Sequence, residues 1–275
     1  MAGSLRALCT DFYVNQKLSV KLDLPDGRET ALELFERIRR QHDALSEFKR
    51  YREELALETP PGVSPSRWLA IRGNTIRSGV VNPDSLEEAY GLHRDVLEVT
   101  PYFLSISPLD IDFVEVLYGF DLAAGGNHDA IVYQALLEGT PMGALLDDGG
   151  PDGPVGRPID CQPVFGLLLD EDDSEDVGAG RLEAHFEVKT RSGGVERARG
   201  AGDPDAGGLE PISVYLTVRQ HGPMKDVKAM PGVLDRLVAW GERLVETRVA
   251  PHLLEPIRGV IVAGGGTGGG GTGGL

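Results

Sequence analysis

Residues Ile111–Gly139, IDFVEVLYGFDLAAGGNHDAIVYQALLEG, read as a strand that gives way to a helix. Phe113, Val114, Val116, Leu117, Tyr118, Phe120 and Leu122 form a near-continuous apolar run rich in β-branched and aromatic side chains, as in a core strand. Ala123-Ala124-Gly125-Gly126 breaks the run, because glycine adopts backbone angles that other residues resist. Asn127 or Asp129 can then accept a hydrogen bond from the free amides of a helix start. Ile131, Ala135 and Leu136 supply that helix with a buried stripe.

Working outward, the same words return elsewhere in the chain. Leu22-Asp23-Leu24-Pro25-Asp26-Gly27, followed by Ala31-Leu32, parallels Phe120-Asp121-Leu122-Ala123-Ala124-Gly125, followed by Ala130-Ile131. Thr75-Ile76-Arg77 parallels Thr217-Val218-Arg219, each shortly before a glycine. Tyr90-Gly91 answers Trp240-Gly241, and Val99-Thr100-Pro101 answers Val249-Ala250-Pro251. The echoes keep their order, which points to an internal duplication.

The rest of the pattern supplies matching elements. Phe12–Leu24 alternates as a first strand, and Pro25-Asp26-Gly27 turns it. Arg28–Leu57 reads as one helix through Ala31, Leu34, Phe35, Ile38, Leu45 and Phe48. Trp68–Ile71 and Thr75–Val81 form a hairpin across Gly73-Asn74, and a helix capped by Asp84 or Ser85 runs to about Val99. In the second half, Val164–Leu169, Leu182–Thr190 and Ile212–Gln220 read as strands, and Leu234–Val249 as the closing helix.

The expected fold is therefore α+β: two related strand–helix–strand–strand–helix units, a mostly antiparallel sheet, and an extra acidic hairpin in the second unit. Residues 1–107 form the first unit and 108–262 the second. An acidic insertion spans about 147–210. Residues 263–275, with nine glycines, form a tail expected to be disordered, because it buries too little to offset its ordering entropy.

Composition narrows the function. The 275 residues carry a net charge of −16, which opposes binding to nucleic-acid phosphates or anionic membrane surfaces. Asp147–Asp205 alone holds 15 acidic and 6 basic residues. Two distant cysteines, Cys9 and Cys161, exclude a disulfide framework and a thiolate-rich zinc site. The opening residues lack the apolar core of a signal peptide, and no run approaches the roughly 20 apolar residues of a membrane span. A soluble, cytoplasmic protein is expected.

Candidate chemistry is sparse. Asp170, Asp172, Ser174 and Asp176 match the early positions of a calcium loop, but Glu175 stands where glycine is needed and Arg181 where a bidentate glutamate is needed. Asp110 and Asp112 could share a cation, yet no nucleotide-binding context accompanies them. His185 and Glu187 form H-x-E without the downstream C-x-x-C of zinc deaminases. There is no G-x-S-x-G and no G-K-[ST] phosphate loop. No catalytic residue, metal ligand or cofactor site is assigned.

The expectation is a non-catalytic binding or assembly protein with an acidic surface and a protein partner of basic character. The alternative is a small-molecule-binding protein or an enzyme using a cleft between the two units. Its candidates, chosen for their closeness to the repeat landmarks, are Arg77, Asp121, His128, Arg219 and His221.

Overall fold

The structure is a computed structural model describing residues 2–25, 27–146, 156–169, 180–190 and 211–265. The first half runs α1 (Ala2–Arg6), β1 (Asp11–Val20), α2 (Arg28–Arg39), β2 (Glu47–Arg50), β3 (Leu55–Glu58), β4 (Ser66–Arg72), β5 (Thr75–Val81) and α3 (Leu86–Phe103). The second runs β6 (Ile111–Ala123), α4 (His128–Leu136), β7 (Val164–Leu168), β8 (Leu182–Lys189), β9 (Pro211–His221) and α5 (Met230–Leu244). A π-helical stretch, Val245–Leu254, carries α5 on into α6 (Glu255–Gly265). Pro251, which has no amide hydrogen to donate, falls in that widened stretch.

The fold is α+β, and the nine strands among the described residues form one antiparallel sheet of order β2-β3-β4-β5-β1-β6-β9-β8-β7. The two halves meet in the β1–β6 ladder, from Asp11 opposite Asp121 to Val20 opposite Ile111. Outward from that ladder each half places its last strand, β5 or β9, next to its first.

Alternation sends one set of side chains to the helices and the other to the opposite face. On the helix side Phe12, Val14 and Leu18 of β1 and Val114, Val116, Tyr118 and Phe120 of β6 are essentially inaccessible. Phe12 stacks on Phe120 at 5.1 Å between ring centroids. Each such side chain contributes roughly 1.5–3 kcal/mol by leaving water. α3 packs on β5 and β1, and α5 on β6 and β9. Where α5 crosses β6, Gly241 admits the Tyr118 ring: a Cβ there would lie 2.3 Å from Tyr118 Cε2. The Tyr118 hydroxyl meets that of Tyr90 at 2.8 Å, and Tyr90 donates to Glu242 at 3.0 Å.

The helix starts follow the capping chemistry. Ser85 accepts from the Glu88 amide at 3.2 Å, and Asn127 Oδ1 from the Ala130 amide at 3.1 Å. Asp129, the other capping candidate, is fully buried and accepts from the Cys161 amide at 2.9 Å and the Thr190 hydroxyl at 2.5 Å. It ties α4 to the chain on both sides of the β7–β8 hairpin.

Three expectations are corrected. The helix expected over Arg28–Leu57 stops at Arg39, and its second part folds as the β2–β3 hairpin. The turn contacts His42 N–Ile38 O and Leu45 N–His42 O bring Leu45 into the core, while the Phe48 ring lies 5.8 Å from that of Phe35. The strand excess therefore lies in the first half, with four strands after α2 against three after α4. The β7–β8 hairpin is part of the common sheet, not an extra. Finally, the closing helix continues past Val249, and Ala263–Gly265 complete α6 instead of starting the tail. Residues 147–155, 170–179 and 191–210 of the acidic insertion, and 266–275 of the tail, lie outside the described residues. Among the described residues, no helix is long and apolar enough to cross a membrane.

Candidate functional site

The face of the sheet turned away from the helices carries most of the candidates. Its centre is a transverse row set by strand register, running from β4 to β8: Ala70, Arg77, Lys17, Glu115, Arg219, Glu183. The row holds like charges side by side, since Lys17 lies directly opposite Arg77. Such a pair is unfavourable unless each cation has its own anion. Arg77 is paired with Glu54 of the β2–β3 turn. Lys17 reaches Glu115 at 3.8 Å, and Arg219 grips the same carboxylate through Nε at 2.8 Å and Nη2 at 2.6 Å. Glu115 is only 8% exposed, so its pairing with the two cations takes place largely away from water.

Aromatic rings lie among these charges. Phe113 has the Arg219 guanidinium 4.2 Å and the Lys17 ammonium 4.9 Å from its ring centroid, a double cation–π contact. His221 meets the same ring edge-on at 6.2 Å. The Arg77 guanidinium lies 5.8 Å from the Trp68 ring. Tyr13 and Tyr215 face each other at 6.4 Å, and the Lys189 ammonium is 5.6 Å from Tyr215. Burial, the Tyr215 hydroxyl and the Asp121 charge together push the Tyr13 phenol far above its ordinary range.

Two glycines give the rings a floor. A Cβ on Gly119 would come within 2.1 Å of the Tyr13 ring, and one on Gly79 within 2.4 Å of the Trp68 ring. The rings thus lie down across the strands instead of standing off them. Under this layer Asn15 Oδ1 and Arg77 Nε are buried without a hydrogen-bond partner among the described residues.

The sequence-derived candidates separate. Arg77 and Arg219 share the central row but are three strand spacings, about 14 Å, apart. Asp121 lies farther along β6, accepting from the Ser213 hydroxyl at 2.6 Å. His221 closes the face at the end of β9, with Nε2 3.1 Å from Glu183 Oε2. Burial tends to raise the Glu183 pKa, but hydrogen bonds from His221 and His185 and the Arg181 charge outweigh it and lower it. His128 is on the other side of the sheet, buried on α4, with Nε2 donating to the Ala124 carbonyl at 3.0 Å. A ladder ten residues long on β1, with a bulge near its end at Ser19/Val20, joins the halves where a cleft was expected, so these five groups do not converge on one atom.

Sequence reasoning missed Lys17, Glu115, Phe113, Trp68, Tyr13 and Tyr215. The i, i+2 spacing of Phe113, Glu115 and Leu117 marks one face, but only register shows which strand lies opposite. Of the paired aspartates, Asp110 is used locally: its Oδ1 accepts from the Leu22 amide at 3.0 Å. The arrangement offers stacking surfaces and charge-assisted hydrogen bonds, with each central carboxylate already held by cations. No family model matches the chain, and no curated protein matches it.

Proposed function

We propose that this chain is a non-catalytic interaction protein that receives a partner polypeptide on the open face of its sheet, and that its frame arose by duplication. The observation that carries the reading is the composition of that face. A solvated antiparallel sheet normally shows water small polar and charged side chains. Here Trp68, Tyr13, Tyr215, Phe113, Arg77 and Arg219 lie together, and Trp, Tyr and Arg dominate binding energy at protein interfaces. The net charge of −16 steers basic partners toward the molecule and repels nucleic acid.

Support for the duplication comes from register. Shifting β1 by the Asp23-to-Asp121 offset carries Lys17 onto Glu115. Shifting β5 by the Thr75-to-Thr217 offset carries Arg77 onto Arg219. Together these shifts carry the observed Lys17–Arg77 pair onto the observed Glu115–Arg219 pair. The Lys17–Glu115 pair maps onto itself, as a pair on a pseudo-twofold axis must. The halves are not identical in detail, since Asp23 follows β1 whereas Asp121 lies within β6.

The test is affinity capture with the intact protein and with Trp68→Ala and Arg219→Ala, against Tyr102→Ser on the helix side as control. Each hot-spot truncation should cost about 2 kcal/mol of binding, roughly a 30-fold loss. Partners retained by both face variants at native melting temperature would defeat the proposal.

A further inference from the structure

At the outer corner of the first half a half-open cavity of about 890 Å³ lies on the helix side of the sheet. It lies between the start of α2 and the β2–β3 hairpin, away from the aromatic face, and its chemistry is independent of the function proposed for that face. Its size falls within the roughly 300–1,000 Å³ typical of small-molecule sites. The floor is apolar, with Leu24, Ala31, Leu55 and Ile71 contributing. Phe48 and Tyr51 stand in the wall, 44% and 48% exposed; Phe48 packs on Phe35, and the Tyr51 hydroxyl donates to Glu58 at 2.9 Å.

The rim is cationic in an acidic protein. Arg28, Arg50 and Arg52 line it, and none has a carboxylate partner among the described residues. The neighbouring carboxylates Glu53 and Glu54 are committed to Arg72 and Arg77. Among the described residues Asp23 is the one other carboxylate of the lining, which leaves a net of two positive charges. Arg28 is also the first residue of α2, whose N-cap residue, Gly27, has no side chain to cap it. The helix dipole and the free amides of that first turn add to the positive potential.

We infer that this corner binds an aromatic phosphate: a planar ring against Phe48 over the apolar floor, with a dianionic head among the three arginines. A phosphate matches both the net charge and the forked, bidentate geometry of guanidinium groups, whereas a single carboxylate would leave excess positive charge uncompensated. The apolar floor and the aromatic wall select against a bare anion.

The experiment is calorimetric titration of the full chain with 1-naphthyl phosphate and with ADP, using inorganic phosphate and 1-naphthol as head-only and body-only controls. At least one aromatic phosphate should bind with Kd below 1 mM, at least tenfold tighter than either control. Arg50→Glu and the pair Arg28→Glu/Arg52→Glu should each weaken it at least tenfold, and Phe48→Ala should weaken it while leaving phosphate unaffected. Lys228→Glu, an exposed reversal elsewhere, should not weaken it. Absence of saturable binding, equal binding of inorganic phosphate, or arginine reversals no worse than Lys228→Glu at unchanged melting temperature would overturn the inference.

Discussion

His93 gives the sharpest quantitative test of the core. It lies on α3 with no accessible surface, its Nδ1 2.8 Å from Ser78 Oγ on β5. Ser78 Oγ is in turn 3.1 Å from the Gln16 side-chain amide on β1. Among the described residues the Nε2 atom has no partner. Burial penalises the imidazolium and pulls the pKa from 6.5 down to about 3, outweighing an opposing contact with the Val14 backbone, while nearby His42 adds a smaller push downward. The unfolded chain takes up a proton near pH 6.5, but the folded protein refuses it until about pH 3. The stabilising contribution is thus fully present above pH 6.5 and is lost as pH falls toward 3. The slope in that window approaches about 1.4 kcal/mol per pH unit. Between pH 7.5 and 4.5 the His93 contribution alone should remove about 2–3 kcal/mol. Urea unfolding of the wild type and His93→Asn, whose Oδ1 can replace Nδ1 as the Ser78 acceptor, isolates it, since other groups titrate equally in both. The variant should start about 1–2 kcal/mol less stable at neutral pH from the lost packing, yet decline less on acidification by the amount stated. Parallel pH profiles, or an imidazole seen by NMR to titrate near pH 6.5 in the folded protein, would refute the reasoning.

Gly241→Ala should cost about 1–3 kcal/mol by driving a methyl into the Tyr118 ring, which its hydrogen bond to Tyr90 holds in place. Gly91→Ala on α3, with nothing within 4 Å of the new methyl, should be neutral or stabilising by about 0.5–1 kcal/mol, and melting temperatures compare the two. Glu115→Ala should lose about 2 kcal/mol because it leaves Lys17 and Arg219 without their shared carboxylate. In a double-mutant cycle with Arg219→Ala, the combined loss should fall well short of the sum of the single losses.

The long apolar elements were legible because their helix-side residues recur at strand or helix spacing and are fully buried. β6, β9, α3 and the hairpin across Gly73-Asn74 all emerge from such patterns, and Gly73 takes φ +56° at that turn. The β2–β3 hairpin was not legible. Its strands, EFKR and LALE, are four residues each, rich in helix formers, and turn through Tyr51–Glu54 without glycine, proline or asparagine. Only the packing of Phe48 on Phe35 and the pairing with β4 favour the strand, and both are tertiary. The same limit applies to the candidate face. Arg77 and Arg219 could be singled out as matching words, but the Lys17–Glu115 pair between them depends on β1 meeting β6, about a hundred residues away. The three rim arginines were hidden for a related reason, since Arg28 was read on the same helix as Arg50 and Arg52.

β1 leaves the ribosome before the other strands of the described sheet and stands in its middle. One edge pairs with β5, and the other has to wait for β6, which begins only at Ile111. A nascent first half can therefore close its own strands while still presenting the β1 backbone unpaired, and such an edge is a template for the wrong strand as readily as for the right one. The β1–β6 ladder joins residues about a hundred positions apart, so loop-closure entropy slows its formation. The seam that unites the halves is accordingly also where two half-made chains would pair with each other, an aggregation hazard that ends when β6 docks.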